Sequence, residues 1–379
     1  MQKLFFILLV CFSVSVFPQD NKFNIGDVLT INSEKLGEAR KVFVSLPYSY
    51  ATGRESYPVL YLLDGGAHFQ YASGMMNYLG GAGTIPEMIV VAIPNTNRNR
   101  DFTPTAVPEQ PASGGASKFL SFMEDELIPM INKNYRTAPY RILFGHSLTG
   151  MFTIYTMLNK PWLFNAYIAA SPYVLYNNNS IVKQTESLLK DKYDAPQCIY
   201  ITVGNEPDYF APLEEMTNIF KSKSPEGFSF KYTQMPAENH TTIPVKTIND
   251  GISTLFEGWA LPDNFPKEGN VELLKKHYKM LSDKFGISFA PSEARVNFAG
   301  YQCMTVGRVN EALDIFKYNI ELYPNSANVY DSYGEGLEAA SRFDTAEKNY
   351  SKAVEMGAAV DDPNLPVYKQ HLEAVKGKY

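Results

Sequence analysis

Between Arg40 and His240, short apolar runs alternate with stretches in which apolar residues recur every three or four positions. The segment "RKVFVSLP" alternates apolar and polar and stops at Pro47. "YPVLYLLDGG", "EMIVVAIPN", "RILFGHS" and "FNAYIAASP" are nearly continuous apolar runs, which is the mark of strands buried on both faces. "QCIYITVG" adds one more and "FSFKYTQMPAENH" closes the series. Between them, "KFLSFMEDELIPMINKNY", "LTGMFTIYTMLNKP", "PLEEMTNIFKSK" and the segment from Ile243 to Trp259 carry helical spacing. Apolar strands interleaved with helices predict a mostly parallel sheet covered on both sides, a three-layer α/β domain over residues 19–262.

The pattern changes after "ALPDNFPKEGN", whose Pro, Gly and charges predict a linker over 263–284. Residues 285–379 show no strand signal and contain two segments that align at a spacing of 34 residues, from Ala294 and from Asn328. Ala312 matches Ala346 and Phe316 matches Tyr350. The period and its helix–turn–helix patterning resemble the tetratricopeptide repeat. Two such units bury little by themselves, so they are expected to pack on each other and on the α/β domain. A structural cap is the expected role, ahead of a docking surface for a protein partner or a wall of the active-site mouth.

Residues Leu4 to Phe17 follow Lys3 as an apolar run and break at Gln19-Asp20, the pattern of a secretory signal over 1–18. Export to a periplasmic or extracellular space is expected; Val10 before Cys11 argues against a lipid anchor. The mature chain then keeps Cys198 and Cys303, expected as two buried thiols in different domains. No other apolar run suggests a membrane span. A net charge of −6 without a clustered Lys/Arg stripe argues against nucleic acid, and no His/Cys cluster suggests a metal.

Chemistry concentrates at "LFGHSLTG". Ser147 follows a strand and precedes a helix, the setting of a nucleophile elbow, where the residue two before the nucleophile must be small; Gly145 satisfies this. Thr149 stands where a second glycine is usual, with Gly150 next. A serine nucleophile needs a base, and in this fold class the chain order is Ser, acid, His. Of five histidines, His68 and His146 precede Ser147, and His277 and His371 fall in the linker and repeats, which leaves His240. The acid should close the preceding strand. Glu206 and Asp208 both qualify; Glu206 lies nearer the strand end, and Glu238 would have to fold back on its own loop. Two backbone N–H groups should receive the oxyanion: that of Leu148, after the nucleophile, and that of Gly66, with Gly65 or Ala67 beside it. The pocket is expected from loops Ala67–Thr84 and Asn95–Ala116. Arg98, Arg100 and Asp101 in the latter are expected to brace it as an ion pair.

Taken in order, "YPVLYLLDGGAHF", "RNRDFTPT", "FLSFMEDELIPMINKNYRT", "LFGHSLTG", "VGNEPDY" and "ENHTTIP" resemble an esterase family of α/β-hydrolases. That family includes esterase D-like, feruloyl and siderophore esterases and mycolyltransferases. The resemblance implies an α/β-hydrolase three-layer sandwich, supports Gly66 as an oxyanion donor, and favours Glu206 over Asp208 as the acid. The expectation is a serine ester hydrolase with a small-molecule ester substrate and no cofactor. An acyltransferase or peptidase using the same triad is an alternative, and so is a non-catalytic partner-binding protein working through the helical repeats. The particular ester is left open.

Overall fold

The structure, a computed structural model, describes residues 23–51 and 53–378; the expected leader over 1–18, including Cys11, lies outside them. Eight strands form one sheet: β1 (Asp27–Ser33), β2 (Glu38–Ser45), β3 (Tyr57–Leu62), β4 (Ile89–Ala92), β5 (Thr137–His146), β6 (Ala166–Ala170), β7 (Lys192–Val203) and β8 (Glu226–Gln234). Their spatial order is β1-β2-β4-β3-β5-β6-β7-β8. β1 and β2 pair antiparallel, as do β2 and β4, while β4 through β8 run parallel. The continuous apolar runs are explained by the two cores. In β3, Val59 and Tyr61 enter one core and Leu60 and Leu62 the other, so neither face tolerates a polar residue.

The first core is completed by helices Ala116–Phe122, Leu148–Asn159, Tyr176–Leu188 and Pro207–Lys223. The second is completed by Gly65–Ala82 and Ile243–Leu255, and it continues without a break into the C-terminal helices. Leu274, Tyr278, Leu281 and Phe285 of helix Val271–Phe285 are buried there, with Val296, Ala299, Ala312, Ile315 and Phe316 beyond. The segment 263–284, expected as a linker, is therefore mostly helical and packed. Its apolar residues recur at helical spacing, and the sheet's exposed face gives them a surface to cover.

Helix Gly65–Ala82 also overturns an expectation. Most of the pocket loop read over Ala67–Thr84 is helical, capped at its far end by Gly83 in the left-handed conformation. Arg295 donates to Gly80 O and Gly81 O at that end. Gly83 has φ 78°, which favours glycine, and a Cβ there would displace the Arg295 guanidinium from these carbonyls. Because the helix starts beside the ends of the parallel strands and finishes at their beginnings, this contact puts Arg295 at the edge of the sheet away from Ser147. A cavity of about 540 Å³ lies along the same seam, between Tyr57 at the start of β3 and the helix starts near Ser292, Ser326 and Asn364. Cys198 is partly buried on β7 and Cys303 fully buried; both are free thiols. Among the described residues no helix is long and apolar enough to cross a membrane.

A shared core predicts one unfolding event. Leu281→Ala removes a fully buried side chain and should cost about 2–5 kcal/mol. Chemical denaturation followed by tryptophan fluorescence and by circular dichroism should shift as one transition; two separated transitions would contradict the common core.

Candidate active site

Ser147 sits between β5 and helix Leu148–Asn159 with φ 60° and ψ −118°, a conformation that a non-glycine residue adopts only when its surroundings impose it. Three backbone bonds impose it. Ser147 N–H donates to Ala170 O at 2.9 Å, while its carbonyl accepts from Met151 N–H at 3.0 Å and from Tyr173 N–H at 2.8 Å. Gly145 is obligatory, because a Cβ there would lie 2.1 Å from Thr149 O. Gly150 lets Pro172 approach, its hypothetical Cβ lying 3.0 Å from the proline Cα.

Thr149, which departs from the usual glycine, has a task of its own. Its Oγ1 accepts from His146 N–H at 2.8 Å and lies 2.7 Å from Asp64 Oδ2. Asp64 is a left-handed residue, φ 52°, at the start of helix Gly65–Ala82. Arg98 grips its carboxylate with Nε at 2.8 Å and Nη2 at 3.0 Å, and Asn95 Nδ2 adds a bond at 2.5 Å. Arg98 Nη2 also donates to His146 O at 3.0 Å. Burial pushes the Asp64 carboxyl up, but the Arg98 guanidinium, Asn95 and Thr149 together outweigh it and hold Asp64 below the usual carboxylate range. The expected pairing within Arg98, Arg100 and Asp101 is thus corrected in part. Arg100 pairs with Asp101 at 2.7 Å, within a buried network that includes Arg40 and Glu38, whereas Arg98 ties the start of helix Gly65–Ala82 to the elbow. The charges of Arg98 and Asp101 are each met by a closer opposite charge, which is why they do not meet each other.

Around the expected oxyanion donors, neighbouring amides are engaged: Gly65 N–H on Ile93 O and Ala67 N–H on Asp64 O, both at 2.9 Å. Gly66 N–H lies between them in a first helical turn, where amides lack an intrahelical acceptor. Leu148 N–H has the same status in the helix after Ser147. The glycine requirement falls on Gly65, whose Cβ would sit 2.6 Å from Ile93 N; Gly66 faces open space.

His240 lies in a turn tied by Asn239, whose Oδ1 accepts from Thr241 and Thr242 N–H. Its Nδ1 is 2.5 Å from Glu206 Oε1. Glu206 is placed at the end of β7 by the Gly204 turn, which the carbonyl of Glu238 supports through Asn205 N–H at 2.8 Å. Asp208 is exposed in the first turn of helix Pro207–Lys223, and Glu238 contributes backbone rather than side chain. Glu206 is therefore the carboxylate brought to His240. Among the described residues Ser147 Oγ makes no hydrogen bond; nucleophile–base contacts are commonly loose without substrate.

Two features escaped the sequence reading. The His146 ring packs against that of His240, centroids 4.6 Å apart, and burial, with the neighbouring His240 and His68, pushes His146 down to about 4, so it is neutral at neutral pH. Ser171 Oγ donates to Glu206 Oε2 at 2.5 Å. His146 could have been flagged by its adjacency to Ser147; nothing in the sequence around Ser171 signals its contact. The remaining histidines lie where chain order put them, His68 on Tyr71, His277 on Trp259 O and His371 on Asp331. Among the described residues no group of His, Cys, Asp and Glu could hold a metal ion.

Comparison with known proteins bears on this geometry. The chain is 30% identical over 253 residues to the ferri-bacillibactin esterase BesA of Bacillus subtilis, covering 59% of this chain and 87% of that protein. It is 22% identical to the siderophore triacetylfusarinine C esterase of Aspergillus fumigatus, covering 59% and 90%. An IroE-like serine hydrolase from Shewanella oneidensis shares the fold with a TM-score of 0.69 at 24% identity, over 78% of this chain and 99% of that one. The sequence profile of the family described as "Putative esterase" matches residues 33–241. With that match over more than half its length, the chain belongs to the "Putative esterase" family.

Proposed function

We propose that this protein is an exported serine hydrolase of carboxylic esters, working through an acyl-enzyme on Ser147. The observation that carries the reading is the 2.5 Å bond from His240 Nδ1 to Glu206 Oε1, beside a serine held in a left-handed elbow. With Nδ1 engaged, His240 takes the Ser147 proton through Nε2 as the hydroxyl attacks the ester carbonyl. Glu206 holds the ring in that tautomer and stabilises the imidazolium. The N–H groups of Gly66 and Leu148 receive the oxyanion. His240 then protonates the departing alcohol, and water releases the acyl group by the same steps in reverse. His146, neutral and packed on the ring, adds no charge to oppose the imidazolium.

Siderophore esters are the favoured substrate class, since two relatives carry that activity in their names. The hydrolase domain is assigned to residues 19–262. Residues 285–379 are assigned as tetratricopeptide-like repeats serving as a structural cap. In support, Gly300 lies under the Phe316 ring and Gly334 under that of Tyr350, the same contact repeated one period on.

Hydrolysis of a panel of p-nitrophenyl, hydroxycinnamoyl and siderophore esters tests the assignment. Ser147→Ala and His240→Ala should each lower kcat on the order of 10⁴-fold or more, and Glu206→Gln on the order of 10³- to 10⁴-fold. Asp208→Asn should stay within about twofold of the parent. Undiminished activity in Ser147→Ala would refute the mechanism. Arg98→Met should lower kcat by roughly tenfold, because the Gly66 amide loses its anchor relative to Ser147. Asp64→Asn should lower the melting temperature at neutral pH. Since the native carboxyl titrates below its unfolded value, that deficit should shrink as pH falls through the native value.

A further inference from the structure

The turn that follows β6 touches both halves of the proposed triad. Ala170 O and Tyr173 N–H bind the backbone of Ser147 on either side, at 2.9 and 2.8 Å. Between them, Ser171 is fully buried with φ 36°, and its N–H donates to Thr202 O at 2.8 Å. Its Oγ donates to Glu206 Oε2 at 2.5 Å and lies 3.2 Å from Gly204 N–H, which also approaches Glu206 Oε2 at 3.3 Å.

We propose that Ser171 is a positioning residue of the triad, one that fixes the Glu206 carboxylate by its second oxygen. The inference rests on the triad reading above. A carboxylate bound to His240 through Oε1, and met at Oε2 only by the long 3.3 Å contact from Gly204 N–H, could rotate about its last side-chain bond and carry the imidazole with it. A short bond to a charged acceptor at Oε2 removes that freedom. The backbone gives a second argument. A left-handed φ is unfavourable for serine and free of cost for glycine, so what serine adds at this position is its hydroxyl. Being fully buried, Ser171 does not meet substrate. The same short turn therefore sets the nucleophile through its main chain and the acid through its side chain, and the distance between them is fixed by one piece of backbone.

Steady-state kinetics with p-nitrophenyl acetate on Ser171→Ala, Ser171→Gly and Ser171→Cys test this, alongside Ser147→Ala. Ala and Gly should lower kcat by roughly ten- to a hundredfold with KM within about twofold of the parent, the loss expected for a hydrogen bond to a charged group. Cys, a weak donor of similar size, should fall between. The low-field proton resonance of a histidine Nδ1–H bound to carboxylate should move upfield or broaden in Ser171→Ala, a signature that a purely structural role would leave alone. Ser171→Gly relieves the turn and serves as the reading if Ser171→Ala does not fold. A glycine variant with parental kcat overturns the proposal, because the turn would then suffice without the hydroxyl. If Ser147→Ala stays active, the triad reading itself falls; an inactive Ser147→Ala beside a fully active Ser171→Gly removes Ser171 alone.

Discussion

A left-handed turn at Ser147 is the constraint from which the site follows. Such a conformation costs of the order of 1–3 kcal/mol for a non-glycine residue, and the chain meets it with named parts. Gly145 lets the helix close over the strand, Gly150 admits Pro172, and the main chain of Ala170 and Tyr173 binds the elbow on both sides. The turn lifts the hydroxyl off the sheet and leaves the amide of Leu148 at a helix start, where it lacks an intrahelical acceptor. The proposed nucleophile and one proposed oxyanion donor thus come from a single backbone distortion.

The second proposed donor, Gly66 N–H, needs a separate anchor, and Thr149, the departure from the usual pattern, is part of it. Where a glycine would contribute nothing, Thr149 reaches Asp64, and Arg98 closes the triangle by binding both Asp64 and the carbonyl of His146. An ion pair at a surface would be worth little. This one is largely shielded on the Asp64 side, 8% exposed, and it joins the two loops whose separation decides whether Gly66 and Leu148 converge on one oxygen. Its value lies in geometry more than in stability.

How much of this the sequence disclosed depends on how local the cause was. Five of the parallel strands, β3 to β7, were legible because burial on both faces leaves an apolar run, and β8, at the other edge, by its alternation. β1 was not, because an edge strand with one covered face shows only Leu29 and Ile31 partly buried. Helix Gly65–Ala82 was hidden by its glycines, which argue against helix but here serve packing: Gly65 against Ile93 and Gly80 against Glu87. Helix Tyr176–Leu188 was obscured by Asn177, Asn178 and Asn179, all left-handed. At the candidate site, the elbow at Ser147 and the pairing of Glu206 with His240 were legible because fold class fixes the order of such residues along the chain. Ser171 and the partner of Arg98 were not, since those contacts join segments dozens of residues apart with no spacing to betray them.

The two ends of the molecule are built separately. The C-terminal helices share a core with one face of the sheet and meet helix Gly65–Ala82 where it ends, at the end of that helix opposite Gly66. The side chains nearest the His240 ring come instead from the strand ends. Tyr209 stands beside its ring, centroids 6.2 Å apart, with Tyr173 at 6.2 Å from Tyr209. The left-handed asparagines lie just beyond Tyr173, and Asn177 is tied to Thr105 at 2.9 Å. Tyr209 opens helix Pro207–Lys223 and the asparagines open helix Tyr176–Leu188, so these side chains stand at helix starts and in the turn before them, on a fixed scaffold. Substitutions at these side chains would reshape the surroundings of His240 without touching the elbow, the clamp or the shared core, so in the proposed mechanism catalysis and selectivity would be under separate structural control.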